Sequence, residues 1–588
     1  MLSISKRNKI ILLLLILAIA VFFRFYKLAE IPPGLYPDVA MNGVNALDAI
    51  KTGDFKVFYP ENNGREGLFI NLIAVSFLTF GASIWAIKIV AVLFGILTVL
   101  GTYLLTKELF SYLKPFDSGY ALAQGINSLS PERRPNEVRP QSKAFDAPST
   151  IIALLSTFFL AISFWHVNFS RIGFRAIMVP FFLVWGLYFL FKALNATPIP
   201  GLHTDDPDKK HKLFANGYFL VAGLFFGLGF HTYIAFRVAP LIILPIFIIW
   251  IIKNRPRLKL APWIIFVIFA LIAAAPLLYY YAKNPADFMG RAGQVSIFAT
   301  GSVAKTLIQS TIKTLGQFVA VGDYNWRHNF SGSPEIFWPL IPFFIIGVFY
   351  SIFQIFKKRN YIDRSYSLLT VHYTLLVAWD AMLLPSIASY EGLPHALRSI
   401  GAIPPTYIFI GLGFWLIINK FKNQISNIKI TGQNSKIFNF KLSFCILIFA
   451  FCITVAYFSY KLYFVDWTQN PNLKGAFTQQ FVDEANYLKS LPTNIKKYVI
   501  VNEDGVPVPY PDGIPMPSQT IKFLDYNNSE ITYLKSSQFS ELLSQYLQTP
   551  ALILPMAYDE NLFGQLKQKY PNGKIENLGE FSAFKINF

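Results

Sequence analysis

Charge is what this chain has least of. Only 14% of its 588 residues are Asp, Glu, Lys or Arg, against about a quarter in an ordinary soluble domain. Hydrophobic residues make up 54% and aromatics 17%, including 58 Phe, and the mean hydropathy is +0.42. That balance excludes a soluble globule and a disordered chain alike. Cysteine is nearly missing. Cys445 and Cys452 are separated by about 10 Å of helical rise, beyond disulfide reach, and are expected as small core residues. There is no phosphate-binding loop of the Walker type, no Gly-x-Gly-x-x-Gly after a strand and no Gly-x-Ser-x-Gly elbow, which argues against a nucleotide-driven pump and a nucleotide-sugar enzyme. No internal repeat is visible, and no small-residue cleavage site follows the first apolar run, so Lys9–Phe23 is expected to be a retained span.

What is present is a series of apolar runs, each long enough to cross ~30 Å of hydrocarbon. They predict a polytopic α-helical membrane protein; the alternation of a transmembrane β-barrel is absent. Eleven spans are expected, at about 9–23, 84–106, 150–168, 176–194, 214–234, 238–252, 260–282, 336–356, 366–388, 400–418 and 442–463. Gly223, Gly227 and Gly229 within one of them favour close helix packing. From Phe464 onward 10 basic residues face 13 acidic ones, so the net charge of +19 is concentrated in the preceding part, which carries +22. The basic clusters at 6–9, 132–143, 209–212, 253–259, 357–364 and 420–441 flank spans and form no continuous face, so nucleic acid is not an expected partner. The positive-inside rule makes each cluster cytoplasmic. All of them fall on one side only if Gly67–Phe80 is interfacial or re-entrant. The amino terminus is then inside and the carboxyl terminus outside.

After about residue 465 the pattern changes. Tyr498–Val501, Thr520–Leu524 and Ala551–Leu554 read as buried strands; Phe477–Leu491, Ser540–Tyr546 and Asn561–Tyr570 read as helices. A small extracytoplasmic α/β domain is expected over 466–588, following a membrane domain over 1–465.

The polar residues that packing does not explain fall in five loops on the outer side. The first outer loop (24–83) carries Tyr36, Asp38, Asn42, Tyr59, Glu61, Arg65 and Glu66. The others carry Arg171 and Arg175; Tyr233 and Arg237; Asp323, Trp326 and His328; and Glu391, His395 and Arg398. Asp38 precedes an apolar run, so capping and catalysis are both open to it. Each arginine by itself could snorkel to lipid headgroups, whereas several around one cavity would suit phosphate. The aromatics fit an interfacial belt or a sugar platform. His166, His231, His328 and His395 match no zinc spacing, so no metal site is assigned; a divalent cation stays an open requirement. Asp380 lies inside an apolar span, where an acid marks function by default or bonds a neighbouring helix.

The run Pro-Gly-Leu-Tyr-Pro-Asp38-x-Ala-x-Asn-Gly, with Asn63-Gly-Arg65-Glu66, Gly81-Ala-Ser-x-x-Ala86 and Gly95-x-Leu-Thr98, resembles the GT-C membrane glycosyltransferases. The branch it resembles is that of bacterial relatives of the protein O-mannosyltransferases and of the lipid A aminoarabinose transferase. Ser170-Arg171-x-Gly-x-Arg175, Asn325-Trp-Arg-His328-Asn and Leu393-Pro-His-Ala-Leu-Arg398 add to it, and the likeness covers roughly residues 1–460. It implies a GT-C fold with a juxtamembrane helix in the first outer loop. It also implies a polyprenyl-phosphate sugar as donor, a membrane lipid environment, and an acceptor hydroxyl on protein, lipid or glycan outside the cytoplasmic membrane. Asp38 becomes the general base of an inverting displacement, with Arg65, Arg171, Arg175, Arg237 and Arg398 as candidate phosphate ligands. Tyr36, Asn42, Tyr59, Tyr233, Trp326, His328 and His395 become candidate sugar or acceptor contacts. Where many members carry a second acid, this chain has Val39 and Arg175, which leaves Glu61, Glu66, Asp323 and Glu391 as candidates. The rival readings are a transporter or flippase of a lipid-linked glycan and a non-catalytic scaffold.

Overall fold

In the computed structural model the described residues are 5–112, 148–196, 209–254, 260–356, 364–427, 434–509, 513–527, 530–545, 547 and 549–587. The chain is a helical membrane protein. Eight helices among the described residues are long and apolar enough to cross a bilayer, and Pro148–Ala161 and Leu213–Gly229 are shorter apolar ones. With the 24-residue helix Arg364–Ile387, each of the eleven expected spans has a helix, although those expected at 150–168 and 214–234 end earlier, at Ala161 and Gly229. The basic clusters at 132–143, most of 253–259 and 357–363, and 428–433 lie outside the described residues.

Helices form here because their polar groups are satisfied internally, as hydrocarbon demands. In Ile84–Leu109 the hydroxyls of Thr98, Thr102 and Thr106 each donate to the carbonyl four residues back, at 2.7, 2.8 and 2.6 Å. Ser83 caps that helix by accepting from the Ala86 amide at 3.1 Å. Gly223 and Gly227 let Lys209–Gly229 lie directly on Ala261–Lys283, since an added Cβ would stand 2.3 Å from the Phe266 and Ala270 carbonyl oxygens. Cys445 is exposed and Cys452 only half-buried, so the expectation of core cysteines is corrected. Their helix, Asn434–Lys461, turns a largely unpacked face outward.

Leu68–Phe80 has 13 residues and a rise of about 20 Å, short of the ~30 Å needed to cross. It packs between the Pro37–Thr52 helix and Ile84–Leu109. The loops after the first, third, fifth, seventh and ninth spans and the carboxyl-terminal part gather at one end of the bundle.

Past the last span, a six-residue π-helix, Leu462–Trp467, leads into an α/β unit with a five-stranded mixed sheet. Its spatial order is Ile531–Lys535, Lys496–Val501, Ala551–Pro555, Ser582–Ile586, Lys574–Asn577. The first three strands are parallel, with Lys497 opposite Ile531 and Lys496 opposite Ala551, and the last two pairings are antiparallel. Central Ala551–Pro555 is buried throughout, as a strand covered on both faces must be. Phe481, Leu488 and Ile521 cover one face and Phe539, Leu562 and Phe563 the other.

One expected strand is a helix. Thr520–Leu524 belongs to Gln519–Leu524. A short apolar run cannot be told from a buried helix by periodicity, and here its role is docking. Phe523 reaches Gly43 of the Pro37–Thr52 helix, where an added Cβ would come within 2.6 Å of its ring. Phe523 also stacks on Phe77 at 5.8 Å. The Thr520 and Thr478 hydroxyls donate to the Leu35 carbonyl at 2.9 and 3.2 Å, and Tyr526 donates to Asp48 at 2.5 Å. The α/β unit is thereby seated on the helix that carries Asp38.

Candidate active site

Pro37 occupies the first turn of Pro37–Thr52, where its missing amide costs nothing. Tyr36, not Asp38, is the N-cap residue and makes no side-chain cap bond. Asp38 is therefore not the cap, and its carboxylate stands at the positive end of the helix dipole. The following segment forms a short antiparallel ribbon, Phe58 opposite Glu66 and Tyr59 opposite Arg65. Its reversal runs through Asn62, Asn63 and Gly64 at φ of 55°, 61° and 86°, a left-handed run that Asn and Gly tolerate best. That turn brings Asn62 Nδ2 to donate to Asp38 Oδ1 at 3.1 Å.

Asp38 lines a cavity of about 1060 Å³. Of the side chains singled out from sequence, Tyr36, Asn42, Glu66, Arg175, Tyr233 and Arg237 join it there, as do His395 and Arg398. Phe288 and Phe298 come from the loop after the seventh span, and Asp504 and Met516 from the α/β unit, so both parts of the chain wall the space.

Glu66 is buried and holds two of the arginines: Arg175 Nε at 3.2 Å from Oε2 and Arg237 Nη2 at 3.9 Å from Oε1. Arg175 also donates to the Gly64 carbonyl at 3.3 Å. Arg237 donates to the Phe288 carbonyl at 2.6 Å and the Tyr281 hydroxyl at 2.9 Å, its guanidinium 4.4 Å from the Phe288 ring centre. Arg398 is clamped by the Ser389 hydroxyl and by the Glu391 carbonyl at 2.6 Å, with the half-exposed Glu391 carboxylate at 3.7 Å. Two arginines thus share one acid and Arg398 has Glu391 beside it, while Asp38, Asp287 and Asp504 line the same cavity, so cationic and anionic groups face each other across it.

The remaining candidates sit elsewhere. Arg65 is buried beneath the Asp38 helix, donating to Asn42 at 2.8 Å and Asn45 at 2.6 Å, with Glu61 at 3.8 Å. Burial draws its guanidinium down to about 10, Arg175 pushing the same way and Glu61 and Asp38 opposing. Tyr59 and Glu61 line a second cavity of about 330 Å³ against Val508 and Lys522 of the α/β unit. Trp326 packs on Phe330, and its carbonyl accepts from the Trp467 indole at 3.2 Å. His166 lies against Arg24 at 2.6 Å and His231 against the Ala273 carbonyl at 2.9 Å. Asp380 is exposed, one helical turn before Leu384 of the cavity wall.

Arg171 requires a correction. Its guanidinium donates to five carbonyls where the first span ends, those of Phe23, Arg24, Tyr26, Lys27 and Ile31, at 2.7 to 3.2 Å. It plugs a helix terminus whose carbonyls have no intrahelical partner. It is fully buried, does not line the cavity, and is no longer counted among the phosphate ligands.

The loop after the seventh span builds a compact knot. Asp323 Oδ1 accepts from the Asn325 amide at 2.8 Å, and Asn325 Oδ1 from the Arg327 amide at 3.0 Å, two successive Asx turns. Asp323 Oδ2 accepts from the Ala396 amide at 2.9 Å and faces His328 Nδ1 at 2.9 Å. Burial, reinforced by Asp323, pushes the neighbouring Glu335 carboxyl well above its usual range. Two side chains not among the sequence candidates stand beside the site: Asn62, which lines the cavity and donates to Asp38, and Arg327, 3.7 Å from the centre of the Tyr36 ring. The signal for Arg327 was its place between Trp326 and His328; Asn62 announced itself only as turn chemistry.

No protein-family profile and no curated protein matches the sequence. Among solved structures, ArnT from Cupriavidus metallidurans bound to undecaprenyl phosphate superposes with a TM-score of 0.55 at 12% identity, over 97% of each chain. Its apo state gives 0.53 at 11%, also over 97% of each chain. The apo oligosaccharyltransferase of Archaeoglobus fulgidus gives 0.50 at 14%, over 90% of this chain and 64% of its own. The chain has the GT-C fold of these membrane proteins.

Proposed function

We propose that the chain is a membrane glycosyltransferase that moves a sugar from a polyprenyl-phosphate donor to an acceptor hydroxyl at the end of the bundle where the α/β unit sits. The observation that carries this reading is one cavity shared by the Asp38 carboxylate and three arginines, Arg175, Arg237 and Arg398. A base and a cationic wall are what the reaction needs. Asp38 accepts the acceptor's proton as its oxygen bonds to the anomeric carbon. The bond from that carbon to the phosphate oxygen breaks, and the polyprenyl phosphate departs as an anion that guanidinium groups stabilise. Attack opposite the leaving group inverts the anomeric centre. ArnT bound to undecaprenyl phosphate supports a lipid-phosphate donor by likeness of fold.

The acids divide by their partners. Glu66 positions Arg175 and Arg237, and Asp323 is committed to the His328 knot, so neither is offered as a second base. Glu391 is paired at the rim, and Glu61 faces the second cavity. Asp38 has Asn62 as its hydrogen-bond partner, and the other acids lining its cavity besides Glu66 are Asp287 and Asp504.

Asp38→Asn should lower sugar transfer by roughly 10²–10⁴-fold while expression and melting temperature hold. Transfer would be followed by mass analysis of products from a panel of polyprenyl-phosphate sugars. Undiminished transfer in that variant overturns the assignment.

A further inference from the structure

Asp323, His328 and His395 each offer one donor atom, and those atoms lie within 4.8 Å of one another. The sequence gives no hint of this, because His328 and His395 are 67 positions apart and match no ligand spacing. His328 Nδ1 is 2.9 Å and His395 Nδ1 3.7 Å from the same oxygen, Asp323 Oδ2. The two imidazoles stack at 5.1 Å and 28°. We propose that these three side chains form a binding site for a divalent transition-metal cation, zinc by preference.

The geometry is close to what such an ion asks for. Metal–ligand distances of about 2.0–2.2 Å place neighbouring donors of a tetrahedral site roughly 3.3 Å apart. The observed 2.9 and 3.7 Å from Asp323 Oδ2 straddle that value, and all three donors lie within 4.8 Å of one another, so small side-chain movements would seat the ion. A hydrogen bond explains the shorter separation but not the longer one, which exceeds hydrogen-bond reach. The carboxylate is already oriented by the Asn325 and Ala396 amides, the kind of outer support that ligating carboxylates receive. Two imidazoles and one carboxylate suit zinc or a neighbouring first-row ion; magnesium and calcium favour oxygen alone.

The position gives the ion a task. Asp323 and His328 belong to the loop after the seventh span and His395 to the loop after the ninth, which also carries Arg398. An ion there staples the two loops and fixes the wall on which His395 and Arg398 meet the cavity. Three protein ligands leave a fourth position for water or a substrate oxygen.

The test uses the full chain in detergent, without a histidine tag, stripped with a chelator, reloaded with zinc and desalted. Elemental analysis should find about one zinc per chain, and the melting temperature should rise on reloading. Asp323→Asn and His395→Ala should weaken retention by roughly tenfold or more, while His395→Cys, which supplies a thiolate, should keep it. Cobalt in place of zinc should give the visible absorption of a four-coordinate site in the unmodified chain, a readout that no variant's folding can confound. Less than about a tenth of an ion per chain, no such absorption, or equal retention by the two ligand-removing variants overturns the proposal.

Discussion

Two groups of cations lie at the same end of this bundle and have opposite surroundings. Arg24, Lys88 and Arg171 gather where the first span ends and donate to main-chain carbonyls, Arg24 also meeting Ser170 and His166. Arg24 donates to the Ala20 and Ala161 carbonyls at 3.0 and 2.9 Å, Lys88 to those of Leu28 and Pro32 at 3.3 and 3.0 Å, and Arg171 to five more. Arg175, Arg237 and Arg398 are instead held by carboxylates and open onto the cavity. Arg171 and Arg175 are one helical turn apart in sequence, yet one finishes a helix and the other faces a ligand space. A cation enclosed by main-chain carbonyls and shut off from the cavity does not meet a substrate. One tethered by a shared acid keeps part of its charge for an incoming anion.

The largest effect should come from the first group. Arg171→Met takes a donor from five carbonyls, of which those of Phe23 and Arg24 are buried, at about 1–3 kcal/mol for each that water cannot reach, so a loss of about 3 kcal/mol or more is expected. Little monodisperse protein should survive size-exclusion chromatography. Arg171→Lys should rescue it only in part, since an ammonium has three donors on one nitrogen. A well-behaved Arg171→Met protein would show that the carbonyl plug is not what holds the first span.

The second group should break function and spare the fold. Arg237→Ala and Arg398→Ala should leave melting within a few degrees of the parent, about 1 kcal/mol or less. They should lower transfer by roughly 10–100-fold, mostly through donor KM, as loss of one charge-assisted phosphate contact predicts. Steady-state rates at varied donor concentration separate the two groups. If Arg398→Ala unfolds as Arg171→Met does, the division between structural and ligand-facing cations fails.

Much of this was legible in sequence because it rests on local rules. Apolar length marked the spans, and Pro37, Asn62, Asn63 and Gly64 announced a helix start and a turn around Asp38. The buried strand Ala551–Pro555 appeared as an unbroken apolar run. What stayed hidden depends on tertiary partners. The fate of Arg171 is set by where the first helix ends, some 145 residues earlier. Asp323, His328 and His395 meet only because two loops far apart in sequence meet. Thr520–Leu524 is apolar because it docks on Gly43, and docking does not reveal whether the docked piece is strand or helix.

The α/β unit offers the converse of the buried cations, an acid buried with no cation against it. Glu484 is fully buried in the helix Gln479–Ser490. Gln480 Nε2 donates to its Oε1 at 2.8 Å, and Oε2 has no hydrogen-bond partner. Burial raises this carboxyl well above its usual range, Gln480 opposing and Glu503 and Asp483 adding to the rise. The folded chain therefore holds a proton that the unfolded chain releases above its ordinary pKa near 4.3. Stability then falls as pH rises from there toward the raised folded value, because the native state binds more protons than the unfolded one. Glu484→Gln keeps the shape and the amide contact, supplies a neutral group at every pH, and should remove that decline. The gain at pH 8 should be on the order of 1–2 kcal/mol, read as a higher melting temperature at pH 8 and little change at pH 4.5. An equal shift at both values would mean that Glu484 is already ionised in the fold, and that a buried acid here tolerates isolation as the carbonyl-bound cations do.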